Sequence, residues 1–296
     1  MALTITEAAK LSNDVLVTGV IETIVSESPI LQSLPFIEIV GNGLTYNREN
    51  AAPTVSFYDV GDTWTESTPT FTQQTATLKI LGGDADVDNF LKATRSNLQD
   101  LEAAVVHLKA KAVQQKFDDT FINGDTSSDS KSFDGIEKLA AAAQTVSMGT
   151  NGATLTLDKL DEVIDKVKTG KPHMLLMSRR SRRKLSSLSR AAGSGVLETD
   201  RNQFGQMAQY YDGIPIGVND WISDDKTVGT SQDCSTIYAV QYGEGAIAGL
   251  TGPGGLQVER VGSLEVKDAT RTRVKWYVSV AVFNALKLAK LSGVRD

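Results

Sequence analysis

The chain has 296 residues, 41% of them apolar and 22% charged, with a formal net charge of -6. That composition excludes disorder over most of the length. The lone Cys234 excludes an internal disulfide and fits a reducing compartment, and no apolar run approaches the ~18 residues of a membrane-spanning helix. The opening MALTITEAAKLSND has no basic start and no long apolar run, so no signal peptide is expected.

In chain order, the stretch Ser12–Phe36 predicts a short helix with Leu16, Val20, Ile21, Ile24 and Val25 on one side. An extended arm follows, broken by Pro29 and Pro35. Leu44–Leu81 is rich in threonine and punctuated by Gly61-Asp62 and Pro69, which predicts a long β-hairpin. Its large apolar side chains are few (Phe57, Tyr58, Trp64, Phe71). A two-stranded ribbon of this kind is marginal in water and needs a surface to lie on.

Ser96–Asp125 is the clearest helix. Ser96 and Gln99 form a capping box. Leu98, Leu101, Val105, Leu108 and Ala112 step by three and four, Val113, Phe117 and Phe121 continue the stripe, and Asn123-Gly124 closes it with a left-handed glycine. Its roughly 25 residues would extend about 37 Å.

Beyond residue 130, helices alternate with strands and predict an α/β unit. Thr156 caps a helix with early acids and late lysines, matching the helix dipole. HMLLM reads as a buried strand. Ser178 caps a basic helix in which Ser181, Leu185, Leu188 and Ala192 share the inner face. DGIPIGVNDW and STIYAVQY add strands, and GPGG (252–255) reads as a turn. A long hairpin then turns at Asp268-Ala269, with an irregularity near Gly262 and clean alternation from Val274 to Val282. Asn284 caps a last helix, ALKLAKL, closed by Gly293.

The charge is uneven. Leu11–Leu78 holds eight acidic residues and one basic residue, Arg48, whereas Lys171–Arg190 holds seven basic residues and no acid. A nucleic-acid reading of the basic helix lacks interleaved aromatics, and the acidic whole opposes long-range attraction to DNA. A solvated face and pairing with acids of a neighbouring subunit are the other readings.

No constellation for catalysis, metal or cofactor emerges, and none is expected. His107 and His173 have no carboxylate or cysteine at ligand spacing. DADVD (84–88) lacks the glycine and glutamate of a calcium loop, and reads as an acidic strand face meeting partners or solvent. TGKPH lacks the upstream glycine of a phosphate loop. A buried carboxylate pair in an enzyme is the weakest alternative.

The order of parts, with GGDADVDNFLKATRSNLQDLEAAVVHLKAKAVQQKFDDTFINGD, LLMSRRSRRKLSSL, YDGIPIGVNDWI and EVKDATRTRVKWYVSVAVFNALKLAKLSGV, resembles the major capsid protein of tailed bacteriophages. The resemblance implies an α+β, Hong Kong 97-type capsid fold. It implies an N-terminal arm (1–43) and an extended β-hairpin loop (44–81) lying across the next subunit. A peripheral domain (82–129 and 256–280) would carry a spine helix at 97–122, and an α/β axial domain would take 130–255 and 281–296.

It further implies a structural protein that is not an enzyme, in the virion, assembled in the host bacterial cytoplasm without a membrane. Pentamers and hexamers would form an icosahedral shell around double-stranded DNA contacted without sequence specificity. A separate scaffold protein, a portal and a decoration protein are the implied partners. The family's lysine cross-link in the extended loop does not carry over, because no lysine occurs between Lys10 and Lys79. The subunit-interface candidates are Arg48, Glu49, Asp62, Trp64, Glu66, Arg179, Arg180 and Arg183. An encapsulin-like compartment shell is the alternative within the fold; a soluble nucleic-acid-binding protein is the alternative outside it.

Overall fold

Alternating apolar residues near the end of the chain organise the first of two main sheets. The computed structural model describes residues 3–4, 28–51, 54–68, 70–89, 101–193, 197–201 and 207–296. The helix expected within Ser12–Val25 and the Ser96/Gln99 capping box lie outside them. The strands are β1 (Leu3–Thr4), β2 (Pro35–Glu38), β3 (Gly43–Ala51), β4 (Thr70–Thr77), β5 (Lys79–Asp88), β6 (Thr145–Ser147), β7 (Ala153–Thr154) and β8 (Met174–Met177). They continue as β9 (Leu197–Arg201), β10 (Met207–Tyr211), β11 (Ile214–Val218), β12 (Lys226–Val228), β13 (Ser231–Val240), β14 (Ile247–Ser263), β15 (Ala269–Val282) and β16 (Leu288–Arg295). The helices used below are α1 (Pro29–Ser33), α2 (Leu101–Asn123), α3 (Ile136–Leu139), α4 (Leu157–Lys166) and α5 (Arg179–Ala191).

The first sheet runs β1-β2-β14-β15-β5. Val274, Trp276, Val278, Val280 and Val282 of β15 all point inward, as period-two alternation requires. They meet Phe117 and Phe121 of α2, with ring centroids of Phe117 and Trp276 5.0 Å apart. Each such side chain contributes about 1.5–3 kcal/mol on burial.

The stripe of α2 is Val106, Ala110, Val113, Phe117 and Phe121, which corrects part of the sequence expectation. Leu108 is 65% exposed and Ala112 also faces out. The true stripe lies rotated from the expected one, because the aromatics set the inner face. Gly124 follows α2, but not in a left-handed conformation. A Cβ there would stand 2.2 Å from the Phe133 carbonyl oxygen, so glycine permits close passage of two backbones.

The second sheet has nine strands along the path β6-β16-β13-β8-β11-β10-β9, with β12 on β13 and β7 on β16. One face shares the first core through Met174, Leu176, Tyr238, Val240 and Leu288. The other is covered by Leu160, Val163 and Ile164 of α4 and Leu185 of α5. The caps stand as expected: Lys159 N–H donates to Thr156, and Ser181 N–H donates to Ser178. Asp212 (φ 50°) and Gly213 (φ 74°) make the tight turn between β10 and β11.

Three expectations fail. Pro29 does not break an extended arm; it opens α1, where its missing N–H costs nothing, with Ser28 as the cap. The stretch after Asn284 is one short turn and then β16, not a helix. β16 is paired on both edges by β13 and β6, and both its faces are buried, Leu288 in the first core and Ala289, Leu291 and Val294 in the second. GPGG is a bulge inside β14, between Thr251 opposite Val278 and Leu256 opposite Trp276.

Candidate functional site

β3 and β4 pair from Gly43–Thr77 out to Ala51–Thr70, and on their exposed face Thr45 stands opposite Thr75, with hydroxyls 3.1 Å apart. The root of this hairpin has a core of its own, which threonine content concealed. Leu44, Tyr46, Ala76 and Leu78 pack on Ile39, Leu250 and Ala281, and the Tyr46 ring lies 4.9 Å from Phe283. Arg48 belongs to this root. Its Nη2 donates to the Val282 carbonyl oxygen, while its buried Nε has no partner among the described residues. Glu49 pairs opposite Phe71 in the ladder; its side chain lies outside the described residues.

The hairpin tip is different. Asp62, Trp64 and Glu66 lie on this segment, away from the root. The Asp62 carboxylate accepts the Asp59 N–H at 2.7 Å, and its own N–H donates to the Asp59 carbonyl oxygen. Trp64 stacks on Tyr58 with ring centroids 4.4 Å apart, and the Tyr58 hydroxyl accepts the Thr65 N–H. Local bonds thus hold the shape, yet the apolar surface faces water: Phe57 and Val60 are fully exposed and Trp64 is 78% exposed. Between residues 54 and 68 the charged residues are Asp59, Asp62 and Glu66. An apolar patch of this kind is a candidate contact surface.

Three arginines of the basic helix α5 find their acids within the same chain. Arg179 grips Asp220 with two bonds of 2.5 and 2.7 Å, and this pairing raises its pKa. Arg180 lies mostly inside. It donates to the Asp233 carbonyl oxygen at 2.7 Å, with Nε 3.4 Å from Asp224. Arg183 reaches Asp296 at 3.3 Å. Asp224 also accepts the hydroxyl of the cap residue Ser178 at 2.6 Å. The acidic front segment supplies none of these partners among the described residues. Arg179 and Arg183 remain largely exposed.

Two charged groups escaped the sequence reading. Glu137 in α3 accepts bonds from Lys226 (2.7 Å), Lys290 (3.2 Å) and the Tyr238 hydroxyl. Burial raises its pKa, but these cationic donors outweigh burial and hold it down to about 2. Asp118 in α2 is 2% exposed. It is bound by neutral donors, Ser28 (2.7 Å) and Gln114 (2.6 Å), so burial prevails and pushes its pKa up to about 6. The i, i+4 spacing of Gln114 and Asp118 beside the aromatic stripe was the available signal. Glu137 had none, because its partners come from β12, β13 and β16.

Asp84 and Asp86, read as an acidic strand face, each hold an arginine of β15: Asp84 with Arg273 and Asp86 with Arg271, at 2.6 Å. The bonds from these arginines lower both carboxyl pKa values. Among the described residues, no group of three or more His, Cys, Asp or Glu is placed to hold a metal ion.

A family model described as the phage capsid family matches residues 11–292. No curated protein matches the chain. Among solved structures, the SrpI encapsulin complex of Synechococcus elongatus is similar at 18% identity and a TM-score of 0.71, covering 90% of this chain and 87% of the other. A chain of Microbacterium phage Oxtober96 gives 17%, 0.65, and 91% of each chain. A chain of Mycobacterium phage Bobi gives 14% and 0.61, with 91% and 90% covered. These likenesses show the fold to be of the Hong Kong 97 type.

Proposed function

The chain belongs to the phage capsid family and is a capsid shell protein, and from that premise we propose that its copies gather as pentamers and hexamers and close into an icosahedral shell around phage double-stranded DNA. The observation that carries this reading is the hairpin tip. Val55, Phe57, Val60 and Trp64 project into solvent on a ribbon anchored at its root. A neighbouring copy is the surface that removes them from water. Each buried side chain then contributes about 1.5–3 kcal/mol, and the contact repeats at every subunit.

Shell building happens in the host bacterial cytoplasm and ends in the virion. A separate scaffold protein, a portal and a decoration protein are the further partners of this reading, and DNA is enclosed without sequence-specific contact. The acidic balance of the chain supports that last point, since bulk attraction to phosphate is absent. The reading gives the protein no catalytic role. The likeness to the Synechococcus encapsulin supports a second reading, a small compartment shell. Electron microscopy of the purified protein after size-exclusion chromatography tests both. Rings of five and six or closed shells are expected, and particle diameter separates a virus-sized capsid from a compartment. A monodisperse monomer under every condition, including added scaffold, would overturn the proposal.

A further inference from the structure

α4 exposes Asp158, Asp161, Glu162 and Asp165 on one side while Leu160, Val163 and Ile164 face the sheet, a spacing that stacks the acids along one stripe. Asp161 is engaged by the Tyr211 hydroxyl at 2.6 Å and Glu162 by Lys159. The stripe borders a recess of about 470 Å³ whose opposite wall is Ala143 and Gln144, just before β6. Lys166, in the last turn of α4 where cations are favoured, and Lys168 also line this recess. Gln144 is only 6% exposed, and its Oε1 has no partner among the described residues. Carboxylates and an amide lining one recess ask for a donor that also carries positive charge. A guanidinium, with five N–H groups, is the side chain that satisfies both needs.

Such groups stand at the other edge of the same sheet. The strand path begins at β6 and ends at β10 and β9. Beside β9–β11 lies a larger recess of about 950 Å³, lined by Arg179 and Arg182 of α5 with Thr199, Gln209 and Val218. Arg179 is occupied by Asp220. Arg182 donates to the Gln209 side-chain amide oxygen at 3.5 Å, and Arg190 is exposed in the last turn of α5. Neither Arg182 nor Arg190 is within salt-bridge distance of a carboxylate among the described residues.

We propose that the acidic recess beside β6 receives Arg182 and Arg190 of α5 from a second copy, joining copies head to tail through opposite edges of the nine-stranded sheet. Two complementary patches on opposite edges make a heterologous contact, which closes into a ring where the rotation between copies closes and runs on as a filament where it does not. A two-fold pairing would instead place like charges together, which disfavours the wrong arrangement. The proposal rests on the shell reading and names the contact that turns subunits into rings.

The full chain is tested by sedimentation and electron microscopy, with thermal melts as the folding control. The pair Asp158→Arg with Asp165→Arg, and the pair Arg182→Glu with Arg190→Glu, should each lower particle yield about tenfold, and the four changes together should restore it to within about twofold. Melting temperatures should stay at the wild-type value. As a second measurement, oxidation of a chain carrying Asp165→Cys and Arg182→Cys should give a ladder of covalent oligomers extending beyond the dimer. Wild-type shells together with unaffected yields in both pairs, or folded variants without recovery in the combined chain, would overturn this contact alone. So would oxidation that stops at dimers. A wild-type chain that forms neither rings nor shells would remove the contact and the shell reading together.

Discussion

The body of the protein and the tip of its hairpin use aromatic side chains in opposite ways. In the body, Trp276 lies between Phe36 and Phe117, and its indole N–H donates to the Thr251 hydroxyl. Every part of that side chain has a partner inside the chain. At the tip, Trp64 has one partner, the Tyr58 ring, and its other face meets water. The same residue type is a fold determinant in one place and an unfinished contact in the other. On the proposed reading, burial within a single copy separates residues that make the subunit from residues that make the assembly.

The sharpest way to break that comparison is to truncate both tryptophans. Trp276→Ala should lower unfolding free energy by about 3–5 kcal/mol. Denaturant titration of the subunit measures this, and a loss under 1 kcal/mol would contradict the packing described for the first core. Glu137→Gln comes next, at about 1–3 kcal/mol, because Lys226 and Lys290 lose their shared anion. The sign of its pH dependence follows from a folded-state pKa of about 2, below the ordinary 4.5. The contribution is complete above pH 4.5 and disappears as pH falls toward 2. The variant should lose that acid limb in a melting-temperature profile.

Asp118→Asn is smaller and has the opposite sign. Its folded-state pKa of about 6 lies above the ordinary 3.8, so the group's contribution is present below pH 3.8 and lost as pH rises through 6. The amide keeps the shape without the buried charge, so the variant should gain on the order of 1 kcal/mol at pH 7 and flatten the profile between pH 4 and 7. A flat wild-type profile over that range would count against the buried charge. Trp64→Ala is the smallest in stability, within about 0.5 kcal/mol of wild type. Yet it should reduce particle yield. Unchanged yield would detach the tip from assembly.

Legibility in the sequence divided along a similar line. Caps were readable because they act over three residues: Thr156 and Ser178 bond where their spacing placed them. The alternation of β15 was readable because one strand face is uniformly apolar. β16 was not, because a strand buried on both faces loses alternation, and LKLAKL then imitates a helical stripe. Asn284 does cap a turn there, bonding the Leu286 N–H at 2.9 Å, but only over Ala285–Lys287. The basic helix was readable as a helix and unreadable as a set of pairs. Its carboxylates, Asp220, Asp224 and Asp296, arrive from loops and a strand end that no local spacing connects to it.

The position of β16 bears on the timing of biosynthesis. This strand fills the gap between β13 and β6, so the second sheet is discontinuous until residues 288–295 have left the ribosome. Chains grow at about 5–20 residues per second, and the earlier segments, with the hydrophobic hairpin tip among them, emerge well before that strand. A nascent chain therefore displays its apolar tip before β6 is joined to the rest of the second sheet. On the proposed head-to-tail contact, a chain without this strand has no docked β6 edge to offer a neighbour, so half-made chains would stay out of a ring.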